Sequence, residues 1–356
     1  MSSCLPRVLS VFSQNDRIMK RTVTLIAASL LGIVLAAQPF ESVNPNATPE
    51  AKALLSDLYQ TVAQGKIISA LHHNQLQLPN YLYDLDRIED ASGKVPMIWG
   101  GDLAWDAAQV VRIAEHEYRR GHIITLMWHV NRPFDRTPRV DFRTQTQGEF
   151  SDAQWKELVT EGSKMNRMWK EQVDSIATFL RVLQDKHIPV LWRPYHEMNG
   201  EWFWWGWREG PDGFTKLWKM LYHRLVDVHH LDNLIWVWNA NAPREIPNDT
   251  ARAYALYYPG NEYVDVLATD VYNRDWKQSH HDQLVELGKG KLIALGELGS
   301  LPSAEMLQQM DKFAWFMVWT GFTSDRYNTL DDLKAIFTLP KVINYRDPVP
   351  TFQSTR

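Results

Sequence analysis

The chain has 356 residues, a length that fits one large domain, two modest ones or a single α/β barrel. Its apolar fraction of 45% and charged fraction of 22% are those of a globular protein, and a net charge of −4 points to neither nucleic acid nor an anionic membrane as partner. The single cysteine, Cys4, excludes an intrachain disulfide, so the core alone must hold the fold.

A basic pair, Lys20-Arg21, precedes an apolar run from Val23 to Ala37. The run is short for a membrane span and reads as a signal peptide, with cleavage after Val34-Leu35-Ala36 or Leu35-Ala36-Ala37 and with Met19 as the start. Residues 1–37 are therefore an extension and a leader, and residues 38–356 the catalytic domain. This reading predicts a secreted or periplasmic protein with no membrane association after cleavage. An uncleaved N-terminal anchor is the alternative.

The first helix is signalled by Thr48 as cap, Pro49 in the first turn, a stripe of Ala51, Leu54, Leu55, Leu58 and Val62, and Gly65 as stop. Eight strand-like runs follow: Lys66–His72, Val95–Trp99, His122–Trp128, Ile188–Arg193, Leu234–Asn239, Val264–Thr269, Leu292–Glu297 and Phe313–Trp319. Helical stripes lie between most of them, such as Val173, Ile176, Ala177, Leu180 and Leu183, or Phe214, Leu217, Trp218, Leu221 and Leu225. Eight strands alternating with helices predict a (β/α)8 TIM barrel as a single catalytic domain. An open doubly wound sheet shares this pattern, but the first strand runs into Leu71-His72-His73-Asn74-Gln75 and not into a glycine-rich phosphate loop.

In such a barrel the C-terminal ends of the strands carry the chemistry. Here those ends are polar or aromatic: His72-His73, Gly101-Asp102, Trp128-His129, Arg193 to Glu197, Trp238-Asn239, Asp270 with Tyr272, Glu297 and Trp319. Glu197 after the fourth strand and Glu297 at the end of the seventh face each other across a barrel mouth. Glycosidic cleavage needs two carboxyl groups on opposite sides of the scissile bond. A structural ion pair at a strand end is the alternative for either residue taken alone. The chain also holds 16 tryptophans, several crowded between Trp202 and Trp207. Stacking on sugar faces and simple core filling explain that surplus equally well.

The run Trp192-Arg193-Pro194-Tyr195-His196-Glu197-Met198-Asn199-Gly200-Glu201-Trp202-Phe203-Trp204-Trp205-Gly206 resembles the acid/base segment of glycoside hydrolase family 26, a family of retaining (β/α)8 hydrolases dominated by endo-β-1,4-mannanases. The resemblance extends over residues 45–345, through Leu71-His72-His73-Asn74-Gln75, Trp128-His129, Tyr257-Tyr258-Pro259-Gly260, Asp270-Val271-Tyr272 and Phe316-Met317-Val318-Trp319. It implies Glu197 as acid/base and Glu297 as nucleophile. It further implies His129 and His196 as hydrogen-bonding partners of the sugar, Asp270 and Tyr272 as orienting groups, Trp202 as a sugar contact beside the acid/base, and Trp319 as the platform under the reacting ring. His72 is placed with the substrate-binding residues. Arg193 is expected to pair with Glu297, a salt bridge elsewhere being the alternative. One departure is local: Asn131 is followed by Arg132 and then Pro133, where the family commonly has Asn-Pro.

The expected reaction is double displacement at internal β-1,4-mannosidic bonds of mannan, galactomannan or glucomannan, by a monomer that needs no cofactor or metal. Within the family, an exo-acting mannobiohydrolase, a lichenase or a β-1,3-xylanase would share the catalytic pair, and the long segment from Asn131 to Gly162 is a candidate for blocking one end of a cleft. A metal hydrolase is the rival chemistry, because His72, His73, His129 and His196 cluster at strand ends, though no His-x-His follows the first strand. A non-catalytic sugar-binding barrel is disfavoured by the presence of both glutamates. His229-His230 and His280-His281 are expected in solvated loops.

Overall fold

The computed structural model of the chain describes residue 1 and residues 41–73, 82–135 and 141–347. The predicted leader with Cys4 and Met19, the Asn74-Gln75 dipeptide, and part of the Asn131–Gly162 segment lie outside the described residues. The barrel is one compact unit that begins at Phe40 and holds all the elements described below.

Eight parallel strands close on themselves: β1 (Ile67–His72), β2 (Ile98–Asp102), β3 (Ile123–Trp128), β4 (Val190–Pro194), β5 (Leu234–Asn241), β6 (Val266–Val271), β7 (Leu292–Leu298) and β8 (Phe313–Val318). Closure comes from β1, which pairs with β2 at Ala70↔Ile98 and with β8 at Ile68↔Trp315. A two-residue strand, β9 (Val342–Ile343), pairs with the start of β1 at Ile67↔Val342.

Helix α1 (Pro49–Ala63) begins as the sequence predicts, with the Thr48 side chain accepting from Ala51 N. Its apolar stripe shares one cluster with Leu191, Ile235, Val266 and Ala314, and the helix touches β1, β5 and β8. It thus lies across the N-terminal end of the barrel. The crossover helices are α2 (Tyr83–Ser92), α3 (Leu103–Arg120), α4 (Asp152–Leu158) with α5 (Lys164–Gln184), α6 (Phe214–His223), α7 (Gln278–Gly288) and α8 (Ala304–Gln309). Helix α9 (Leu330–Phe337) follows β8. Between β5 and β6 the chain makes only 3-10 turns, at Tyr254–Leu256 and Asn261–Tyr263.

Three strands run two or more residues past the C-terminal ends that periodicity gives them. Strand β2 runs from Ile98 through Gly100 and Gly101 to Asp102, residues that are poor strand formers on propensity. Packing decides here: a Cβ on Gly100 would lie 3.0 Å from Met317 Sδ, and one on Gly101 2.7 Å from the Trp99 ring. Strands β5 and β6 each extend two residues past their expected ends, to Asn241 and Val271. His280 and His281 are not solvated loop residues. They are buried near the start of α7, where His280 Nε2 lies 3.0 Å from Asp275 O and His281 packs edge-on against Phe313.

Candidate active site

The acid/base candidate sits in a distorted backbone. Tyr195 and Glu197 both have left-handed φ, 46° and 53°, a region that costs ordinary residues about 1–2 kcal/mol. Surrounding bonds enforce it. Glu197 N donates to Asn239 O at 2.7 Å, Trp169 Nε1 to Tyr195 Oη at 2.9 Å, and Trp205 Nε1 to His196 O at 2.8 Å. Trp204 Nε1 donates to Val130 O at 2.9 Å. Trp204 and Trp205 are therefore buried frame, not sugar platforms, and they account for part of the tryptophan surplus.

This frame delivers Glu197 into a cleft of about 360 Å³ at the C-terminal mouth. The cleft is lined by His129, His196, Trp202, Tyr272, Glu297 and Trp319, together with Phe142, Phe203, Asn241 and Arg244. Glu197 is buried and accepts two hydrogen bonds: from Trp202 Nε1 on Oε2 at 2.6 Å, and from Asn241 Nδ2 on Oε1. Trp202 is thus a polar partner of the carboxyl as well as a wall beside it. Burial first, and then the charge of Glu297, push the Glu197 pKa up to about 7.

Glu297 is held by a different set of groups. Arg193 Nη1 donates to Oε1 at 2.8 Å, so the expected pairing is present. Tyr272 Oη donates to Oε2 at 2.6 Å. His196 Nε2 lies 3.7 Å from Oε1. Burial works against the Arg193 charge, yet Glu297 and Asp270 outweigh it and raise the arginine's pKa. Burial, then Glu297, raises the pKa of Asp270, whose Oδ1 lies 3.8 Å from Arg193 Nη1. Burial lowers the pKa of His196, helped by His129 and Arg193 nearby.

One oxygen each of Glu197, Asp270 and Glu297 lies within 4.8 Å of the others, the one such acidic group among the described residues. Arg193 already supplies positive charge to this trio. With their nearest oxygens within 4.8 Å, Glu197 and Glu297 are in keeping with the close carboxyl pair used in retaining glycoside hydrolysis. A protonated carboxyl opposite an arginine-paired one is the arrangement that can protonate a leaving oxygen and attack the anomeric carbon.

The remaining expected residues divide. His129 is in the cleft, its Nδ1 2.6 Å from Asp102 Oδ2, which leaves Nε2 for a ligand. Asp102 also accepts from His129 N at 3.1 Å and from Ala104 N at 2.9 Å as the cap of α3. His72 does not line the cleft; it is buried and stacked on Trp319 at 4.0 Å and 16°. It backs the Trp319 ring, with its pKa lowered by burial and then by Arg193. The sequence reading missed Asn241 and Arg244, which lie beyond the expected end of β5, and the functional link of Asp102 to His129. It also missed Phe142, which packs edge-on to His129 at 5.2 Å from the long connection after β3.

Known proteins resemble this chain over the same span. A mannan endo-1,4-beta-mannosidase of Thermothelomyces thermophilus is 32% identical over 322 residues, covering 84% of this chain and 61% of that protein, so the chain spans less than two thirds of that relative's length. GH26A from Muricauda sp. MAR_2010_75 has a solved structure that superposes with a TM-score of 0.80 at 45% identity, covering 85% of this chain and 98% of that one. A beta-mannanase from a symbiotic protist of the termite Reticulitermes speratus, solved with gluco-manno-oligosaccharide, superposes with a TM-score of 0.73 at 29% identity, covering 85% of this chain and 96% of the other. The model of glycosyl hydrolase family 26 matches residues 43–347, and with the closed barrel and the paired glutamates at its mouth, the chain belongs to that family.

Proposed function

We propose that this chain hydrolyses internal β-1,4-mannosidic bonds of mannan-type polysaccharides by double displacement, with Glu197 as acid/base and Glu297 as nucleophile. The observation that carries the reading is the close, asymmetric carboxyl pair. One member is buried among hydrogen-bond donors with its pKa near 7, and the other is paired with Arg193 and Tyr272. The named activities of the Thermothelomyces and termite-protist relatives supply the substrate class.

In the first step Glu197 gives its proton to the glycosidic oxygen while Glu297 attacks the anomeric carbon. The negative charge of Glu297 is consumed in the ester, which removes one of the two causes holding the Glu197 pKa up. Glu197 then takes a proton from water, and the resulting hydroxide equivalent displaces Glu297 with the anomeric configuration restored. Trp319, backed by His72, forms the floor for the reacting ring. His129, fixed by Asp102, offers Nε2 to a sugar hydroxyl. The basic pair Lys20-Arg21 followed by the apolar run to Ala37 supports secretion or export to the periplasm, and N-terminal sequencing of the exported protein tests it.

The activity test uses linear mannan, galactomannan, lichenan and β-1,3-xylan, with Glu297→Ala as control. The expected result is early release of mixed manno-oligosaccharides, with the β-anomer formed first by proton NMR, and loss of activity in the variant. Mannobiose alone from the start, cleavage confined to lichenan or xylan, or a first-formed α-anomer would each overturn the assignment.

A further inference from the structure

Glu197 meets only donors within its hydrogen-bonding shell: the Trp202 indole N–H on one oxygen and the Asn241 amide N–H on the other. An indole can only donate, so its polarity is fixed. An asparagine amide can turn over and present its oxygen instead. While Glu197 carries its proton, a turned Asn241 would accept that proton in a hydrogen bond and draw it away from the glycosidic oxygen.

Arg244 prevents this. Its Nη1 donates to Asn241 Oδ1, and a guanidinium has no lone pair with which to meet an amide N–H. The arginine is itself anchored, with Nε donating to Asp249 Oδ2 at 3.0 Å and Nη2 donating to Asp249 Oδ1. Its side chain is 8% exposed. The same guanidinium lies over the Trp202 ring at 5.2 Å, so it also steadies the second donor. The Asn241 backbone is clamped separately by Asn199: Asn241 N donates to Asn199 Oδ1, and Asn199 Nδ2 donates to Asn241 O, both at 2.8 Å. With the backbone fixed, the amide orientation is the remaining freedom, and Arg244 removes it.

We propose that Arg244, anchored on Asp249, is a positioning residue that locks the hydrogen-bond polarity around Glu197, so that the acid's proton has no acceptor except the leaving oxygen of the substrate. The inference rests on Glu197 being the acid/base. It makes the acid step depend on Arg244 more than the base step does, because an ionised Glu197 attracts the Asn241 N–H with or without the arginine. The other charged and titratable groups facing Glu197 are Glu297, Asp270 and Tyr272. None of these contacts Asn241 Oδ1, so none substitutes for the lock.

The test compares wild type, Arg244→Met and Arg244→Lys on β-mannan and on 2,4-dinitrophenyl β-mannobioside, whose leaving group departs without protonation. For Arg244→Met the expected result is a fall of about tenfold or more in kcat on mannan, within the range general acid catalysis supplies, with KM little changed. On the activated glycoside kcat stays within about twofold. The alkaline limb of the mannan pH profile moves upward, because a cation is lost and the proton gains an acceptor. Arg244→Lys, a donor-only cation, recovers part of the loss. An equal fall on both substrates, a change confined to KM, or no change in either substrate would overturn the proposal. Glu197→Ala run on the same pair tests the underlying assignment separately: mannan cleavage must be lost while the activated glycoside still forms its glycosyl-enzyme. If that control fails, the acid/base reading fails with it.

Discussion

Removing the charge of Glu297 should lower the pKa of Glu197 by a predictable amount. The nearest oxygens of the two carboxyls are within 4.8 Å. At an effective dielectric of about 20, two unit charges at that separation repel by about 3.5 kcal/mol, equivalent to about two and a half pK units. Arg193 sits 2.8 Å from Glu297 and cancels part of that field, so the expected fall is about one unit. Burial is the larger cause of the Glu197 shift and survives the substitution, so the group stays above the ordinary glutamate range. In Glu297→Gln, carbon-13 NMR of labelled glutamate carboxyls should show the Glu197 titration moved down from about 7. On the proposed mechanism the protonated acid is the working form, so cleavage of mannan should decline as pH rises through about 7. An unchanged or higher Glu197 midpoint in Glu297→Gln would refute the coupling. A fall to the ordinary value would refute the role of burial.

Three further outcomes follow from individual contacts. Tyr272→Phe removes a 2.6 Å bond to Glu297, and a hydrogen bond to a charged group contributes about 1.5–3 kcal/mol to stability, so Tm should fall by several degrees, and kcat/KM on mannan should drop as the nucleophile loses its orienting donor. Gly296→Ala would put a Cβ 1.7 Å from Asn239 Oδ1 and 2.7 Å from Asp270 Oδ1, so activity should fall to background even where circular dichroism shows a folded barrel. Asp102→Ala removes the cap of α3 together with the acceptors for His129 N and Nδ1. The cap alone should cost about 1 kcal/mol in urea unfolding, and KM should rise as His129 loses its fixed tautomer.

The sequence carried the barrel through period and punctuation. All eight strands were found because each holds a short, fully buried and largely apolar run, most of them set between helical stripes, and α1 because Thr48 and Pro49 mark its start. What failed was local, where packing overrules propensity. Gly100 and Gly101 belong to β2 because neighbouring side chains fill the space a Cβ would need. The two glutamates were legible from a dense motif and a strand end. Their supports were less so. Asn241 and Arg244 lie past the point where the β5 apolar run stops, and nothing in Asn241-Ala242-Pro243-Arg244 announces a contact with a residue 44 positions earlier. His72 looked like a ligand contact because it ends a strand, but it stacks on the Trp319 ring and does not line the cleft. The crowded tryptophans divide by their N–H partners. Trp204 and Trp205 donate to backbone carbonyls and frame the site, while Trp202 donates to Glu197 and belongs to it.

The left-handed backbone at Glu197 makes this position a conflict between two selections. Glycine would adopt the same φ without penalty, and asparagine with little. A library of variants sorted only for resistance to proteolysis, with no polysaccharide present, should therefore accumulate small residues at position 197 and gain stability as it loses catalysis. On the proposed mechanism glutamate persists there only while sugar cleavage is rewarded, so its frequency in such a library, followed over rounds with and without substrate, measures how strongly the chemistry opposes the fold.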